Sequence, residues 1–234
     1  MNAVVFIKSV KHQLFLLRII LKRKHRKVVN KPIIYVFGDS HTMNFQHALF
    51  LTTHVGPATA YNLSSSKSTT QAGVKIDNVL DKLSSSSSHY FLFVFGEIDC
   101  RIHINKVSKT LHKSLDKVVG DTVDAYVSYL QSIQLKFPQS RIMVLNVLPS
   151  GEEKNIYNTK FYPSRALHLK IVLLFNEELS KKCKENKFIF ISVFNQLVDA
   201  SHKRIRRYVY DDIHFNRKII PFITTEIFKK AGLA

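Results

Sequence analysis

Short apolar runs that alternate with helical patterns constrain the fold of this chain more than any other feature. Four runs have the composition of buried strands: 33–37, 90–95, 142–148 and 188–194. Helical spacing of apolar residues marks four further segments: 43–51, 111–137, 164–184 and 217–230. Strands that alternate with helices form parallel sheets covered by helices on both faces. The pattern therefore predicts an α/β domain built on a parallel sheet.

Size and composition fit one globular domain with a short extension. The chain has 234 residues, 45% of them hydrophobic, which is enough to bury a core. We expect the domain to cover 31–234, with an appendage at 1–30. Two serine-rich stretches, 64–68 and 84–88, lack apolar residues and are predicted to be loops.

No pattern in the sequence is typical of a metal or cofactor site. The two cysteines, Cys100 and Cys183, show neither CxxC spacing nor the density of a disulfide scaffold. Neither a Walker-type loop nor a GxGxxG loop is present. His41, His47 and His54 have no ligand spacing, and we interpret them as helix-surface or loop residues. We therefore expect no cofactor and no metal.

Residues 1–30 have the pattern of a basic amphipathic helix. The apolar face carries Phe6, Val10, Leu14, Leu17 and Leu21. Interspersed lysines and arginines make the stretch too polar to span a bilayer, and the small-residue cleavage site of a secretory signal does not follow it. Such a helix can lie on an anionic membrane surface, or pack on its own domain or a partner subunit. We expect a cytoplasmic protein, either free or peripheral to the membrane.

The charge balance favours an anionic partner without identifying it. Lysine and arginine number 35 against 17 aspartates and glutamates, a net charge of +18. Nucleic acid, an acidic lipid surface and an acidic glycan would all suit this charge, and so would a solvated surface with no specific partner. The basic segments lack interleaved aromatic residues, so we do not expect nucleic acid binding.

Ser40 has the surroundings of a catalytic nucleophile. It follows the first strand-like run and precedes a predicted helix, the position at which open α/β sheets place their sites. Free backbone N–H groups at such a turn can receive an oxyanion. Gly38 allows the chain to turn sharply enough to present the hydroxyl. Ser40 is therefore the candidate nucleophile.

A base and an orienting acid stand close together near the other end of the chain. His214 follows Asp211 by three residues and Asp212 by two. Residues three apart in a turn lie on the same side, so Asp211 is the better partner. An orienting acid, a base and a nucleophile form a catalytic triad. The alternative is that one aspartate caps the turn before the last helix and His214 is a surface residue.

The order of these motifs along the chain resembles that of the SGNH, or GDSL-like, hydrolase superfamily. The first block is matched by Gly38-Asp39-Ser40, the third by Gly96-Glu97-Ile98-Asp99 and the last by Asp211 with His214. Gly56 matches the second block, although Gly73 is an alternative. The resemblance covers 33–230, nearly the whole chain beyond the appendage.

This resemblance implies a three-layer α/β/α sandwich with a parallel sheet of about five strands, and acyl-ester chemistry. Ser40 would attack an acyl carbonyl, His214 would move the proton and Asp211 would orient His214. The oxyanion donors would be the backbone N–H groups of Ser40, Gly56 and Gly96. The family also uses an asparagine side chain in the third block. Here Ile98 occupies that position, so one donor is missing or comes from elsewhere.

The polar segment after the second strand-like run suggests a substrate contact. The string Gly-Glu-Ile-Asp-Cys-Arg is similar to SGNH-like proteins encoded among bacterial polysaccharide genes, which implies a glycan-directed subgroup. The candidate substrate-binding residues are Asp39, Glu97, Asp99, Arg101 and His103. Arg101 would suit the carboxylate or phosphate of an acidic sugar. Alternatively, Glu97, Asp99 and Arg101 pair among themselves and brace the loop.

Three functions remain open at this point. The first is a serine esterase that removes a small acyl group, most simply acetyl, from a carbohydrate or another small ester. The second is an O-acetyltransferase with the same acyl-serine intermediate, in which a sugar hydroxyl replaces water. The third is a non-catalytic basic protein that binds an anionic partner. Exclusion of water from the acyl-enzyme separates the first two, and it depends on loops that the sequence does not place.

Overall fold

The computed structural model describes residues 32–149 and 159–233. Its centre is one sheet of five parallel strands. The strands are β1 (Ile34–Gly38), β2 (Phe50–His54), β3 (Tyr90–Val94), β4 (Arg141–Leu145) and β5 (Ile189–Ile191). Their order across the sheet is β2-β1-β3-β4-β5. The predicted parallel sheet of about five strands is therefore confirmed.

Helices cover both faces of this sheet. They are α1 (Ala72–Leu80), α2 (Ile104–Leu111), α3 (Leu115–Lys136), α4 (Arg165–Glu185), α5 (Phe194–Leu197) and α6 (Ile220–Ala231). Alternate residues of β1 point to opposite faces. Tyr35 and Phe37 belong to the core that includes α1, α3 and α4, whereas Ile34 and Val36 belong to the core that includes α6. The arrangement is a three-layer α/β/α sandwich, as the sequence predicts.

The prediction of a helix at 43–51 is wrong. The chain forms a short 3-10 turn at Ser40–Asn44 and then enters strand β2. Phe50 pairs with Ile34 and His54 pairs with Gly38 in a parallel ladder along β1. Phe50 and Leu51 are buried in the hydrophobic cores on opposite faces of the sheet. The hydrogen bonds and burial supplied by β1 therefore outweigh the local helical pattern.

The other three expected helices agree with α3, α4 and α6 except at their ends, whereas α1, α2 and α5 were not expected from the sequence. The expected helix 111–137 corresponds to α3 and begins later than expected: Leu111 ends α2, His112 adopts a left-handed conformation, and Ser114 caps α3 by accepting from the Lys117 N–H. Ser164 caps α4 in the same way through the N–H of Leu167. A 3-10 turn, Arg217–Ile219, precedes α6.

Several remaining expectations concern loops, cysteines and the appendage. Both serine-rich stretches are loops or turns, as predicted. Cys100 and Cys183 are buried and free. The predicted helix at 1–30 lies outside the described residues. Among the helices of 32–149 and 159–233, none is long and apolar enough to cross a membrane.

Gly38 permits a close approach between β1 and β3. A Cβ atom at this position would lie 2.3 Å from the carbonyl oxygen of Val94 and 2.6 Å from the methyl group of Thr42. Both distances are far inside van der Waals contact, so any larger residue would push the turn away from β3. Because Gly38 has no side chain, β1 can approach β3 closely, and this approach fixes the position of Ser40.

Candidate active site

Ser40 and His214 meet at the carboxyl edge of the sheet. Ser40 begins the 3-10 turn after β1, and Asp39 caps that turn by accepting from the N–H of His41 at 2.9 Å. His214 lies in the loop before the turn Arg217–Ile219. Its Nε2 is 2.8 Å from the Ser40 Oγ. The sheet therefore brings together two residues that are 174 positions apart in the chain.

Asp211 holds the opposite side of the His214 ring. Nδ1 of His214 is 2.8 Å from Oδ2 and 3.0 Å from Oδ1 of Asp211. Oδ1 also accepts from the N–H groups of Ile213 at 2.8 Å and His214 at 2.6 Å. Partial burial would raise the pKa of Asp211, but these hydrogen bonds outweigh it and lower the pKa. An ionised carboxylate only accepts, so Nδ1 is the donor and Nε2 of the neutral ring accepts from Ser40.

Two contacts from the 3-10 turn Ser40–Asn44 hold the chain on either side of His214. Asn44 donates through Nδ2 to the carbonyl of Phe215 at 2.6 Å. Nε2 of His41 lies 3.4 Å from the carbonyl oxygen of Ile213. The sequence predicts neither contact, because each joins segments far apart in the chain.

The candidate oxyanion donors lie on neighbouring loops because the strands that precede them are in register. Gly38 pairs with His54 of β2 and with Val94 of β3. Ser40, Gly56 and Gly96 each follow one of these paired residues by two positions. Within 32–149 and 159–233, their backbone N–H groups donate to no acceptor. Three uncommitted donors are thus available at this edge of the sheet.

Two further positions bear on the oxyanion donors. Gly73 lies within α1, where a Cβ atom would be 2.2 Å from the carbonyl oxygen of Leu63, so its role is packing. Gly56, with a φ of +95°, follows the strand that pairs with β1 and is the glycine beside the candidate nucleophile. Ile98 is half-buried at the start of the π-helical turn Asp99–His103, and its side chain has no donor.

His41 is buried, contrary to the expectation of a surface or loop histidine. It is only 5% exposed, its Nδ1 lies 3.1 Å from Oδ1 of Asp39, and its ring centroid is 5.1 Å from that of His214. Burial lowers the pKa of His41, but the hydrogen bond and charge of Asp39 and the charge of Glu97 raise it to about 9. A charged imidazolium therefore lies behind the candidate triad. Only the close Asp-x-His spacing hinted at this pair.

Glu97 and Arg101 form a buried ion pair next to this group. Nε of Arg101 donates to Oε1 of Glu97 at 2.6 Å, and Nη2 donates to Oε2 at 3.1 Å. The residues are 7% and 5% exposed. A bidentate pair of this kind holds its loop rigidly. Its burial favours the bracing alternative over substrate contact.

Asp99 joins two of the loops at the site. Its carboxylate accepts from the N–H of Ala60 at 2.6 Å and of Tyr61 at 3.3 Å, and the residue is fully buried. Burial raises the pKa of Asp99 to about 7, although these backbone hydrogen bonds oppose the shift. Asp99 therefore braces the loop after β2 against the loop after β3. Its burial argues against direct contact with a substrate.

Two other candidate substrate contacts differ in exposure. Asp39 is 1% exposed and already bonded to His41, so it too supports the site from behind. His103 is half-buried, with its ring 5.0 Å from that of the exposed Tyr61. Burial and the charge of Lys106 lower the pKa of His103. Of the five candidates, His103 alone is positioned near an exposed surface.

Asp39, His41 and Glu97 also form the one acidic and histidine cluster of the described chain with a spacing suited to a cation. One ligand atom from each lies within 4.8 Å of the others. The positive charge that this cluster needs is already supplied by the imidazolium of His41 and the guanidinium of Arg101. We therefore assign no metal to it.

Stability should decrease between pH 6.5 and about 9 because of His41. The folded protein holds a proton on this residue up to a pKa of about 9, whereas the unfolded chain releases it near 6.5. The contribution is complete below pH 6.5 and is lost as the pH rises through 9, by at most about 3 kcal/mol. The groups that face His41 are Asp39, Glu97 and His214. The loss should appear in the free energy of unfolding measured by denaturant titration.

The variant His41→Gln isolates this effect. It should flatten the pH dependence above 6.5, and the exposed His54→Gln should retain the wild-type slope. Equal slopes in both variants would show that His41 does not carry the pH dependence.

An open cleft of about 420 Å³ runs along the candidate triad. Beside Ser40 and His214 it is lined by Met43, Gln46, Tyr210, Phe215 and Arg217. Tyr210 is 79% exposed and Met43 is 58% exposed. The cleft lies in the usual size range of small-molecule sites, about 300–1,000 Å³. Sequence reasoning gave no signal for these lining residues.

Solved structures of other proteins share the fold of this chain. No protein-family profile and no curated protein matches the chain. Among solved structures, a GDSL-like lipase from Bacteroides thetaiotaomicron has 14% identity and a TM-score of 0.55, covering 90% of this chain and 96% of that one. A member of the lipolytic G-D-S-L family from Veillonella parvula has 14% identity and a TM-score of 0.50, covering 84% and 96%.

A third structure is a carbohydrate acetylesterase. This protein, from Sinorhizobium meliloti, has 10% identity and a TM-score of 0.52, covering 86% of this chain and 99% of that one. These likenesses at low sequence identity concern the fold, and they confirm the α/β sandwich with a parallel sheet that the sequence blocks imply.

Proposed function

We propose that this protein is a serine esterase that hydrolyses a small acyl ester, O-acetyl on a glycan, through an acyl-serine intermediate. The observation that carries the proposal is the continuous contact from the Ser40 hydroxyl through His214 to Asp211. The base touches the nucleophile, and an ionised acid touches the base, inside an open cleft. The sugar substrate is supported by the neighbour described as a carbohydrate acetylesterase.

The acylation step follows from the hydrogen bonds of the three side chains. Oγ of Ser40 attacks the ester carbonyl carbon as its proton moves to Nε2 of His214. Asp211 stabilises the imidazolium that forms. The tetrahedral intermediate then collapses: the bond to the alcohol oxygen breaks, and His214 returns the proton to that oxygen. The products are a free alcohol and an acyl ester on Ser40.

Hydrolysis repeats the same proton transfers with water. His214 takes a proton from a water molecule as it attacks the acyl-serine carbonyl. Collapse of the second tetrahedral intermediate returns the proton to Oγ of Ser40 and releases the carboxylic acid. If a sugar hydroxyl enters in place of water, the same step is an O-acetyl transfer.

The oxyanion would be stabilised by backbone donors alone. The N–H groups of Ser40, Gly56 and Gly96 donate to no acceptor among the described residues, whereas Ile98 offers no side-chain donor. Removal of one oxyanion donor typically lowers kcat by about 100-fold or more. We therefore expect kcat to be modest for a serine esterase.

A covalent adduct provides the direct test. Treatment of the full chain with a serine-directed fluorophosphonate should add one label, which tandem mass spectrometry should map to Ser40. The activated hydroxyl attacks phosphorus and displaces fluoride, so labelling reports the nucleophile without any assumption about the substrate.

Two variants serve as controls for the adduct. Ser40→Ala should not be labelled, whereas the loop variant Ser66→Ala should be labelled like the wild type. Absence of a label on the wild type, or a label elsewhere in the chain, would remove the proposed mechanism.

A further inference from the structure

Two exposed 3-10 turns next to the cleft carry a group of cations. The turns Arg206–Tyr208 and Arg217–Ile219 are joined by a hydrogen bond from the N–H of Asn216 to the carbonyl of Tyr208 at 2.7 Å. The exposed cations on them are Arg206, Arg207, Arg217 and Lys218. We call these four residues the basic rim.

The described part of the chain does not neutralise the basic rim. In the described ranges, no carboxylate forms an ion pair with any of its four members. Arg217 donates instead to the neutral amide oxygen of Gln46, and Arg207 lies over the ring of Tyr208 at 4.7 Å. Cations elsewhere on the surface do pair, as Lys117 does with Asp121 at 2.7 Å. The rim therefore keeps its charge for another partner.

Nearby acids do not cancel this charge. Asp211 and Asp212 lie between the two turns. Asp211 is bonded to His214, so its charge is directed at the candidate base. Four cations against two carboxylates leave an excess of positive charge beside the cleft. An anionic group is attracted there, most strongly at low salt.

Arg217 connects the basic rim to the reacting atoms. It lines the same cleft as Ser40 and His214. That cleft of about 420 Å³ is far larger than an acetyl group requires, so most of it must receive the alcohol part of an ester. The exposed ring of Tyr210 offers a flat apolar surface in the same cleft, on which a sugar ring can stack.

We propose that the alcohol part of the substrate is an acidic glycan, an inference that rests on the proposed esterase function. A sugar carboxylate binds the guanidinium of Arg217, the sugar ring packs on Tyr210, and neighbouring acidic sugars lie along the basic rim. A guanidinium matches the planar carboxylate with two parallel hydrogen bonds. Nucleic acid suits this surface less well, because binding of single strands uses several stacked aromatic side chains, and among the described residues that line the cleft Tyr210 is the one exposed aromatic residue.

The test compares acetylated polymers that differ in charge. We would measure kcat/KM of the full chain on O-acetylated polygalacturonate, on neutral acetylated xylan and on 4-nitrophenyl acetate. The wild type should prefer the acidic polymer by about tenfold or more at low salt. The preference should decrease as sodium chloride is added.

Substitution of Arg217 should remove most of the preference. In Arg217→Gln the ratio of kcat/KM for polygalacturonate to that for 4-nitrophenyl acetate should fall about tenfold, mainly through KM. Arg217→Lys keeps the charge but loses the bidentate geometry. Its ratio should lie between that of the wild type and that of Arg217→Gln. The double variant Arg206→Gln/Arg207→Gln should lower the same ratio while leaving Arg217 in place.

Lys229→Gln is the matched control. Lys229 is exposed near the end of α6, where the carbonyl of Ala231 accepts from Arg141 at the start of β4. It therefore lies at the opposite edge of the sheet from the cleft. This variant should retain the wild-type ratio.

The outcomes separate the inference from the proposed function. Absence of turnover on 4-nitrophenyl acetate would remove the esterase proposal itself. Turnover of that ester with equal kcat/KM on the acidic and neutral polymers, or an unchanged ratio in Arg217→Gln and in Arg217→Lys, would overturn the inference alone. Stronger inhibition by polyuridylate than by deacetylated polygalacturonate would assign the basic rim to nucleic acid and also overturn it.

Discussion

Replacement of Ser40 by alanine should lower kcat on 4-nitrophenyl acetate by a factor on the order of a thousand or more. The alanine methyl group cannot attack the ester, and His214 loses the hydroxyl that lies 2.8 Å from its Nε2. The remaining rate would come from the backbone donors and from water activated by His214. Initial rates at saturating ester, with the protein concentration checked by absorbance, would measure the loss.

The stability of the Ser40→Ala protein distinguishes chemistry from misfolding. Ser40 is half-buried at the start of a turn, and its backbone is positioned by Gly38 and by the Asp39 cap. The melting temperature should therefore stay close to that of the wild type. Ser66→Ala, a change in an exposed loop, should match the wild type in both rate and melting temperature. Equal turnover by Ser40→Ala and the wild type would contradict the proposed nucleophile.

Replacement of Arg101 by methionine should destabilise the fold by about 3–5 kcal/mol. Methionine fills similar space but leaves the Glu97 carboxylate buried without the two hydrogen bonds that it accepts from the guanidinium. For a domain of this size the melting temperature should fall on the order of 10 °C. Thermal unfolding followed by circular dichroism would measure the change.

A second variant separates the lost charge from lost packing. Glu97→Gln/Arg101→Met removes both charges and should recover a large part of the melting temperature, because no unpaired ion stays buried. Lys117→Met breaks an exposed pair with Asp121 at the same i,i+4 spacing and should change the melting temperature little. A raised KM in Arg101→Met with an unchanged melting temperature would favour substrate binding by Arg101 instead.

Much of the fold was predictable because buried parallel strands have a recognisable sequence pattern. Strands β1, β3 and β4 read as continuous apolar runs, since helices cover both of their faces. The long helices α3 and α4 were predictable as well, because their apolar residues recur at helical spacing.

Strand β2 was not predictable from its own residues. It lies at the edge of the sheet, and its second half contains the partly exposed Thr52 and Thr53 and the exposed His54. An edge strand has one neighbour and less burial, so its apolar pattern is weak. Its conformation is determined by pairing with β1.

The buried charges behind the site also depend on tertiary contacts and not on local sequence pattern. Asp39, Glu97, Asp99 and Arg101 were candidate substrate contacts because polar residues at a strand end usually face solvent. Loops after three neighbouring strands instead close over them, so that they bond to one another and to the backbone. Burial of this kind depends on how the loops meet, which no local spacing encodes.

The sequence by itself determined the residues of the candidate triad and the parallel α/β fold, because a strand end, a tight turn and an Asp-x-x-His spacing are short-range features. Only the tertiary structure decided that Ser40 and His214 lie 2.8 Å apart. It also decided that four of the five candidate substrate contacts are buried and that the cleft is lined by Tyr210 and Arg217. The physical reason is that the register of parallel strands brings distant loops to one edge of the sheet, and side chains on those loops acquire their partners only there.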